Sequence, residues 1–171
     1  MRHWAARHLV WLAILSSVAG LAGCSPKADG PIAISGFTVT GTSAASQGVV
    51  PINPGVNNGQ FLISWDITGT FYTATVALNS GPVFDPSTNV VLASGCGQQS
   101  AADVCHATNT LTCTFDNSDN MLCSDVAGPY ATQNLAGFLA AGVPANAYIV
   151  LQACNASGSS CLTSSVPVQI Q

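Results

Sequence analysis

Short runs of β-branched and aromatic residues, separated by Gly, Pro, Asn and Ser, make up most of the chain after residue 32. Runs of this kind are typical of successive β-strands. In the clearest run Phe61, Ile63 and Trp65 alternate with other residues, so that one face is expected to be buried. Residues 42–58, rich in Ser, Gly, Asn and Pro, are expected to form a long loop. The pattern predicts strands near 33–41, 59–67, 70–79, 88–95, 108–116, 120–125, 146–154 and 162–170.

One segment departs from this strand pattern. Within residues 131–141, Leu135, Phe138 and Leu139 stand at positions i, i+3 and i+4, which form one apolar stripe on a helix. Gly142 follows and is a typical helix terminator. The sequence therefore predicts a mainly β fold, an antiparallel β-sandwich, with one short helix.

The first 23 residues have the features of an export signal. Arg2 and Arg7 precede a mainly apolar stretch of about 15 residues, which is too short to span roughly 30 Å of hydrocarbon. The segment Leu21-Ala22-Gly23-Cys24 resembles the lipobox of bacterial lipoprotein precursors. An ordinary secretory signal that happens to end at a cysteine is the alternative.

The lipobox resemblance implies cleavage before Cys24 and three acyl chains on that cysteine. Two or more acyl chains anchor a protein stably, so the membrane would be bound through the N-terminal lipid. Ser25 stands where an aspartate would resemble an inner-membrane retention signal, which favours the outer membrane. Residues 24–32 then form a short lipidated tether, and residues 33–171 fit one domain.

Six further cysteines remain once Cys24 is set aside. An even set in an exported protein favours three disulfides, although six cysteines allow 15 pairings. Pairing of neighbours is the simplest arrangement, and each loop would contribute about 2–3 kcal/mol to stability. Metal binding is the alternative, but no pair has C-x-x-C spacing and only His106 lies nearby. The expected disulfides are Cys96–Cys105, Cys113–Cys123 and Cys154–Cys161.

The net charge of residues 24–171, the expected mature part, limits the classes of partner that the protein is expected to bind. Lys27 is its only cation, and seven aspartates are its only acidic side chains, which gives a net charge of about −6. Nucleic-acid binding depends on Lys and Arg that neutralise phosphates, so the sequence argues against a nucleic-acid partner.

Several segments resemble fibronectin type III domains, a β-sandwich family. They are Gln60-Phe61-Leu62-Ile63-Ser64-Trp65-Asp66, Leu139 and Pro144 with Tyr148-Ile149-Val150, and Asn155-Ala156-Ser157-Gly158 with Ser164-Ser165-Val166-Pro167-Val168. The resemblance implies that Trp65 packs between two sheets and that the later segments form strand F, the F–G turn and strand G. It covers about 60 residues and implies no catalytic residue, because a fold does not set a function. The six cysteines and the long 80–135 region depart from the family.

No residue pattern supports a catalytic or metal site. His106 is the only histidine after residue 23, and its neighbour Cys105 is expected to be oxidised. The segment Asp116-Asn117-Ser118-Asp119-Asn120 offers oxygen ligands for calcium, but it lacks the glycine and glutamate of an EF-hand loop. A hairpin turn is therefore the favoured interpretation of this segment. We assign no catalytic residue, no metal ligand and no cofactor.

Two classes of function remain. The first is a non-enzymatic binding or structural module of the cell envelope, with a protein partner bound by polar loops. The second is a carbohydrate-binding accessory module or an Asp-dependent hydrolase that uses aspartates and aromatic side chains on loops.

Overall fold

The computed structural model describes residues 31–69, 72–97, 109–155 and 157–171, and in these residues eleven strands form two sheets. A single 3-10 turn, Asn57–Gly59, is the helical structure among them. The strands are β1 (Ala33–Thr40), β2 (Val50–Ile52), β3 (Gln60–Thr68), β4 (Tyr72–Asn79), β5 (Val90–Gly97), β6 (Thr110–Phe115), β7 (Asn120–Asp125), β8 (Gly128–Pro129), β9 (Gln133–Asn134), β10 (Ala145–Asn155) and β11 (Cys161–Ile170).

The two sheets are almost entirely antiparallel. The first has the order β1-β3-β6-β7-β8, with β9 also paired to β7, and the second has the order β2-β11-β10-β4-β5. Strand β2 is the exception, since it runs parallel to β11. Strands β3 and β4 are adjacent in the chain but lie in different sheets, so Gly69 marks a crossing between sheets rather than a hairpin.

One apolar core lies between the sheets. Phe61, Ile63 and Trp65 point into it from β3, while the intervening residues are exposed or half-buried, so the predicted alternation is confirmed. From the second sheet, Leu78 of β4 and Ile149 of β10 contribute fully buried side chains. The mainly β prediction is thereby confirmed, and the two sheets enclose the core as in a sandwich.

The predicted long loop, residues 42–58, contains a strand that the sequence pattern missed. Val50–Ile52 form β2, whose partner on β11 lies more than a hundred residues further along the chain. The two-residue strands β8 and β9 were also missed. The remaining eight strands lie at the predicted places, with bounds that differ by at most two residues, and β7 has the predicted bounds at both ends.

The predicted helix over 131–141 is wrong. The stripe residues Leu135 and Leu139 are buried as expected, but they lie in turns joined by one bond from the Leu139 N–H to the Leu135 carbonyl (2.8 Å). The Leu135 N–H instead donates to the Asp119 carbonyl (2.7 Å), which ties the segment to the first sheet. Gly137 weakens the helix further, because glycine costs about 1 kcal/mol in a helix interior relative to alanine.

Two of the three predicted disulfides are present. Cys113–Cys123 joins β6 to β7, and Cys154–Cys161 joins β10 to β11. In both cases the two cysteines face each other directly in the strand register, which explains why neighbour pairing succeeds in hairpins. The third expected bond, Cys96–Cys105, depends on Cys105, which lies outside the described residues.

The sandwich has two distinct ends. At the end that we call the near end, β1, β4, β6 and β11 begin, and β3, β5, β7 and β10 finish. The connections β1–β3, β4–β5 and β6–β7 and the residues before β10 lie at the opposite end, which we call the far end. The first strand, β1, thus begins at the near end; residues 24–30 of the predicted tether lie outside the described residues.

Candidate functional site

The β4–β5 connection at the far end carries the most exposed bulky aliphatic side chain of the described residues. It comprises residues 80–89, here called the 80–89 loop, and carries Pro82 and Pro86. Val83 between them is 70% exposed, the largest exposed fraction among the bulky aliphatic side chains of the described residues. Proline fixes its own φ, so the loop presents this apolar side chain at a reduced entropic cost.

Asn79 connects the loop to the sheet. This last residue of β4 is 1% exposed, and its Nδ2 donates to the Val83 carbonyl oxygen (2.7 Å). The Oδ1 atom of Asn79 is buried and has no hydrogen-bond partner among the described residues. One side-chain hydrogen bond from Asn79 therefore connects the loop to the sheet, and the Asn79 Oδ1 is left as a buried acceptor without a partner among the described residues.

Asp85 shapes the tip of the loop. Its Oδ1 accepts hydrogen bonds from the hydroxyl (2.6 Å) and the backbone N–H (2.9 Å) of Ser87. The hydroxyl bond first, and then the backbone bond, lower the pKa of the Asp85 carboxyl below its ordinary value. The aspartate thus stabilises its own turn and stays ionised, which adds a negative charge next to the apolar Val83.

A cleft of about 470 Å³ follows the loop, and a second of about 400 Å³ lies at the end of β11. The first is bordered by Val83, Phe84 and the two prolines together with Asp85, and the second by Ser and Gln side chains together with Ala44, Val49 and Pro51. The two clefts lie at opposite edges of the second sheet, and each combines apolar and polar side chains, as protein interfaces do.

The segment 116–120 forms the β6–β7 turn at the same end. The Asp116 Oδ1 accepts from the backbone N–H groups of Ser118 (2.8 Å) and Asn120 (2.9 Å), and Asp119 adopts a positive φ of 59°. These bonds between Asp116 and the backbone of its own segment are those of a hairpin turn, so the predicted turn is confirmed. The bonds from Asn120 first, and then from Ser118, lower the pKa of Asp116.

This pKa shift leads to a prediction for acid stability. A lowered folded-state pKa stabilises the fold above the ordinary carboxyl pKa, and the effect is lost as pH falls through the folded value. Asp116→Asn is therefore expected to reduce the free energy of unfolding at neutral pH and to flatten its decline below about pH 5. Urea unfolding across this range measures both effects.

Asp119→Asn is the matched control for this experiment. It removes the same charge from the same turn, but the Asp119 carboxylate bonds no other described residue. If the two variants gave identical stability profiles, the role of the Asp116 hydrogen bonds would be refuted.

Other aspartates are also held in structural contacts. Asp125 accepts from the Tyr130 hydroxyl (2.9 Å), and burial, followed by this bond, raises the pKa of Tyr130. Asp66 accepts from the Ser35 hydroxyl (2.6 Å) and lies near Tyr72, whose pKa is raised mainly by burial. These carboxylates join strands and turns instead of converging on one cleft.

The remaining predicted site residues are placed as follows. Cys24, Cys105 and His106 lie outside the described residues, and so does the side chain of Cys96. Within the described ranges, no three His, Cys, Asp or Glu side chains come close enough to hold a metal ion. Every aromatic ring there is buried or half-buried.

The 80–89 loop has a local sequence signal for a turn, but no signal for a binding surface. Two prolines, a glycine and an aspartate between two strands predict a turn. Its position at the far end depends on which sheet each strand joins, and that information is not local.

Comparison with family models, with curated proteins and with solved structures finds no match for this chain. No helix in the described residues is long and apolar enough to cross a membrane. The fold therefore defines the class of the protein by itself: a disulfide-bonded, mainly β protein of two packed sheets.

Proposed function

We propose that this chain is a lipoprotein of the outer membrane that acts as a non-enzymatic binding or structural module of the cell envelope, with the far-end loops as its binding surface. The observation that carries the proposal is the opposite placement of two features. The first strand, β1, begins at the near end, whereas the exposed Val83 and the 80–89 loop lie at the far end.

The length of the tether supports this orientation. Residues 24–32 separate the lipidated cysteine from β1, and nine extended residues reach roughly 30 Å at most. The near end therefore stays close to the bilayer and the far end points away from it. The net negative charge of the mature part opposes contact between the domain and anionic lipid.

The type of sandwich is part of the proposal. We infer a fibronectin type III-like or immunoglobulin-like domain, in which β1, β3 and β6 act as strands A, B and E, and β11, β10, β4 and β5 as G, F, C and C′. Burial of Trp65 on β3 supports this assignment. Strand β7 differs, since it lies beyond β6 at the position of strand D but follows β6 in the chain.

A carbohydrate-binding module or an Asp-dependent hydrolase has less support. Sugar platforms use exposed aromatic rings, whereas the rings of Phe84 and Tyr148 are half-buried. Asp85 and Asp116 are bonded within their own turns. We therefore retain the binding module as the proposed function.

Site-specific photocrosslinking in the native envelope tests the proposal. A photoreactive amino acid at Val83 of the full-length lipoprotein is expected to give a discrete adduct with a second protein. The matched position is Val126, which is 68% exposed against 70% for Val83 and follows β7 on the side away from the far end. Val126 is expected to give no such adduct, because it lies outside the proposed surface.

A second variant separates specific binding from proximity. Adding Val83→Asp to a crosslinker at the neighbouring Pro82 is expected to reduce the adduct about tenfold, because a charge at the centre of an apolar contact is costly. Adducts of equal yield at Val83 and Val126, or none at either, would contradict the proposed surface.

A further inference from the structure

The two disulfides of the described residues have the same local geometry but opposite surroundings. Each joins directly paired residues of a hairpin, with a Cα–Cα distance of 4.0 Å. Cys113 and Cys123 belong to the core and are 0% and 1% exposed. Cys161, by contrast, is exposed, and its partner Cys154 is half-buried. Access for an external thiol therefore differs sharply between the two bonds.

Electrostatics near the bonds points in the same direction. Thiol–disulfide exchange requires attack by a thiolate, which carries a negative charge. The hairpin around Cys154 and Cys161 has no acidic residue between 152 and 165. The Cys113–Cys123 hairpin carries Asp116 and Asp119 in its turn. Within its own sequence, the Cys154–Cys161 hairpin therefore places no carboxylate beside the bond; a carboxylate of another strand, Asp66, lies near Tyr72, which pairs with Asn155.

The β10–β11 turn also keeps its shape independently of the sulfur bridge. Asn155 is 6% exposed, its Nδ2 donates to the Ser159 hydroxyl (3.0 Å), and its Oδ1 accepts from the Ser160 backbone N–H (3.1 Å). The Asn155 N–H donates to the Ser160 carbonyl (2.9 Å). Because these bonds close the hairpin, cleavage of Cys154–Cys161 does not require the turn to unfold.

We propose that Cys161 is a thiol-exchange site of this protein, at which an external thiol forms a mixed disulfide in the folded state. The attacking thiolate bonds to the Cys161 sulfur, the Cys154–Cys161 bond breaks, and Cys154 leaves as a thiolate. With a dithiol reductant, its second thiolate then attacks the reductant's sulfur in the mixed disulfide. That step returns Cys161 as a thiolate and leaves the reductant oxidised to a disulfide.

The site lies at the near end, where β10 finishes and β11 begins. A thiol partner at this position would be held beside the membrane, away from the far-end surface. The proposal is thus independent of the proposed binding function, and either can fail alone.

Timed reduction of the native mature protein tests this inference. Free thiols are first blocked, reduced glutathione is added, samples are quenched with acid, and cysteine peptides are quantified by mass spectrometry. We expect modification at Cys154 and Cys161 to be at least about tenfold faster than at Cys113 and Cys123, because access limits exchange. Glutathione itself is expected mainly on Cys161.

The same reaction in denaturant is the control, because unfolding removes the difference in access and the two pairs should then react at similar rates. Equal rates in the native protein, or glutathione mainly on Cys154, would overturn the proposal. A Ser160→Asp variant adds a negative charge to the exposed turn beside Cys161, keeps the backbone bonds of residue 160, and is expected to slow the reaction at Cys161 alone. An equal slowing at Cys113 would also count against a local site.

Discussion

Replacing Cys24 with alanine is expected to abolish fatty-acid incorporation and to remove the mature domain from the membrane fraction. Lipidation adds about 0.8 kcal/mol of membrane affinity per buried CH₂. Three acyl chains therefore bind the membrane far more strongly than the domain itself does, because the domain has a net negative charge. In this experiment the Cys24→Ala domain is fused to a general secretory signal peptide, so that cleavage of the signal removes the apolar leader. Labelling with an alkyne fatty acid and partitioning into detergent measure the result.

The control is the double variant Cys154→Ala/Cys161→Ala, which removes two other cysteines of the chain but leaves Cys24 in place. This control is expected to keep its fatty-acid label and its membrane association. Label on the Cys24→Ala protein, or an unlabelled wild-type protein, would refute the lipoprotein assignment and would leave only the secretory alternative.

The sequence predicted the parts of this fold that depend on short-range patterns. The alternation of Phe61, Ile63 and Trp65 has the period of a half-buried strand, and the structure buries that face. The two observed disulfides were predicted because each closes a hairpin between strands that are neighbours in the chain. In both cases the deciding contact lies within about ten residues.

The errors arise where the deciding contact is distant. Val50–Ile52 contains a proline and is too short to show a period, and its strand character comes from pairing with β11. The spacing of Leu135 and Leu139 is compatible with burial of both side chains in a helix and also in the turn that is observed. The observed turn includes a bond from the Leu135 N–H to the carbonyl of Asp119, which lies in the β6–β7 turn and 16 residues earlier in the chain.

The candidate surface likewise combines features that short-range patterns predict with features that only long-range pairing sets. Pro82, Asp85 and Pro86 predict a rigid turn, but no local pattern states that this turn shares an end with the segment 116–120. That relation follows from the order of strands in both sheets, which is set by long-range pairing. The sequence therefore predicts the elements of the site but not their assembly.

The stability of the far end depends strongly on Gly59, the residue before β3. Gly59 is buried, has a φ of +70°, and donates its N–H to the Val56 carbonyl (2.9 Å). A Cβ at this position would overlap the Phe115 carbonyl oxygen and lie 2.9 Å from its carbonyl carbon. The carbonyl oxygen and carbon of Phe115 belong to the backbone of β6. They cannot move away from a Cβ at residue 59 without disturbing the pairing of β3 with β6.

Gly59→Ala is accordingly expected to lower the free energy of unfolding by about 2–5 kcal/mol. About 1–2 kcal/mol comes from the left-handed conformation and the remainder from the overlap. Gly48→Ala is the matched control, since Gly48 has a φ of +80° in the neighbouring connection and nothing within 4 Å of its Cβ position. Gly48→Ala is expected to lower the free energy of unfolding only by the part that comes from the left-handed conformation. Urea unfolding of both variants measures the difference, and equal losses would show that the close approach of Gly59 to Phe115 does not constrain the fold.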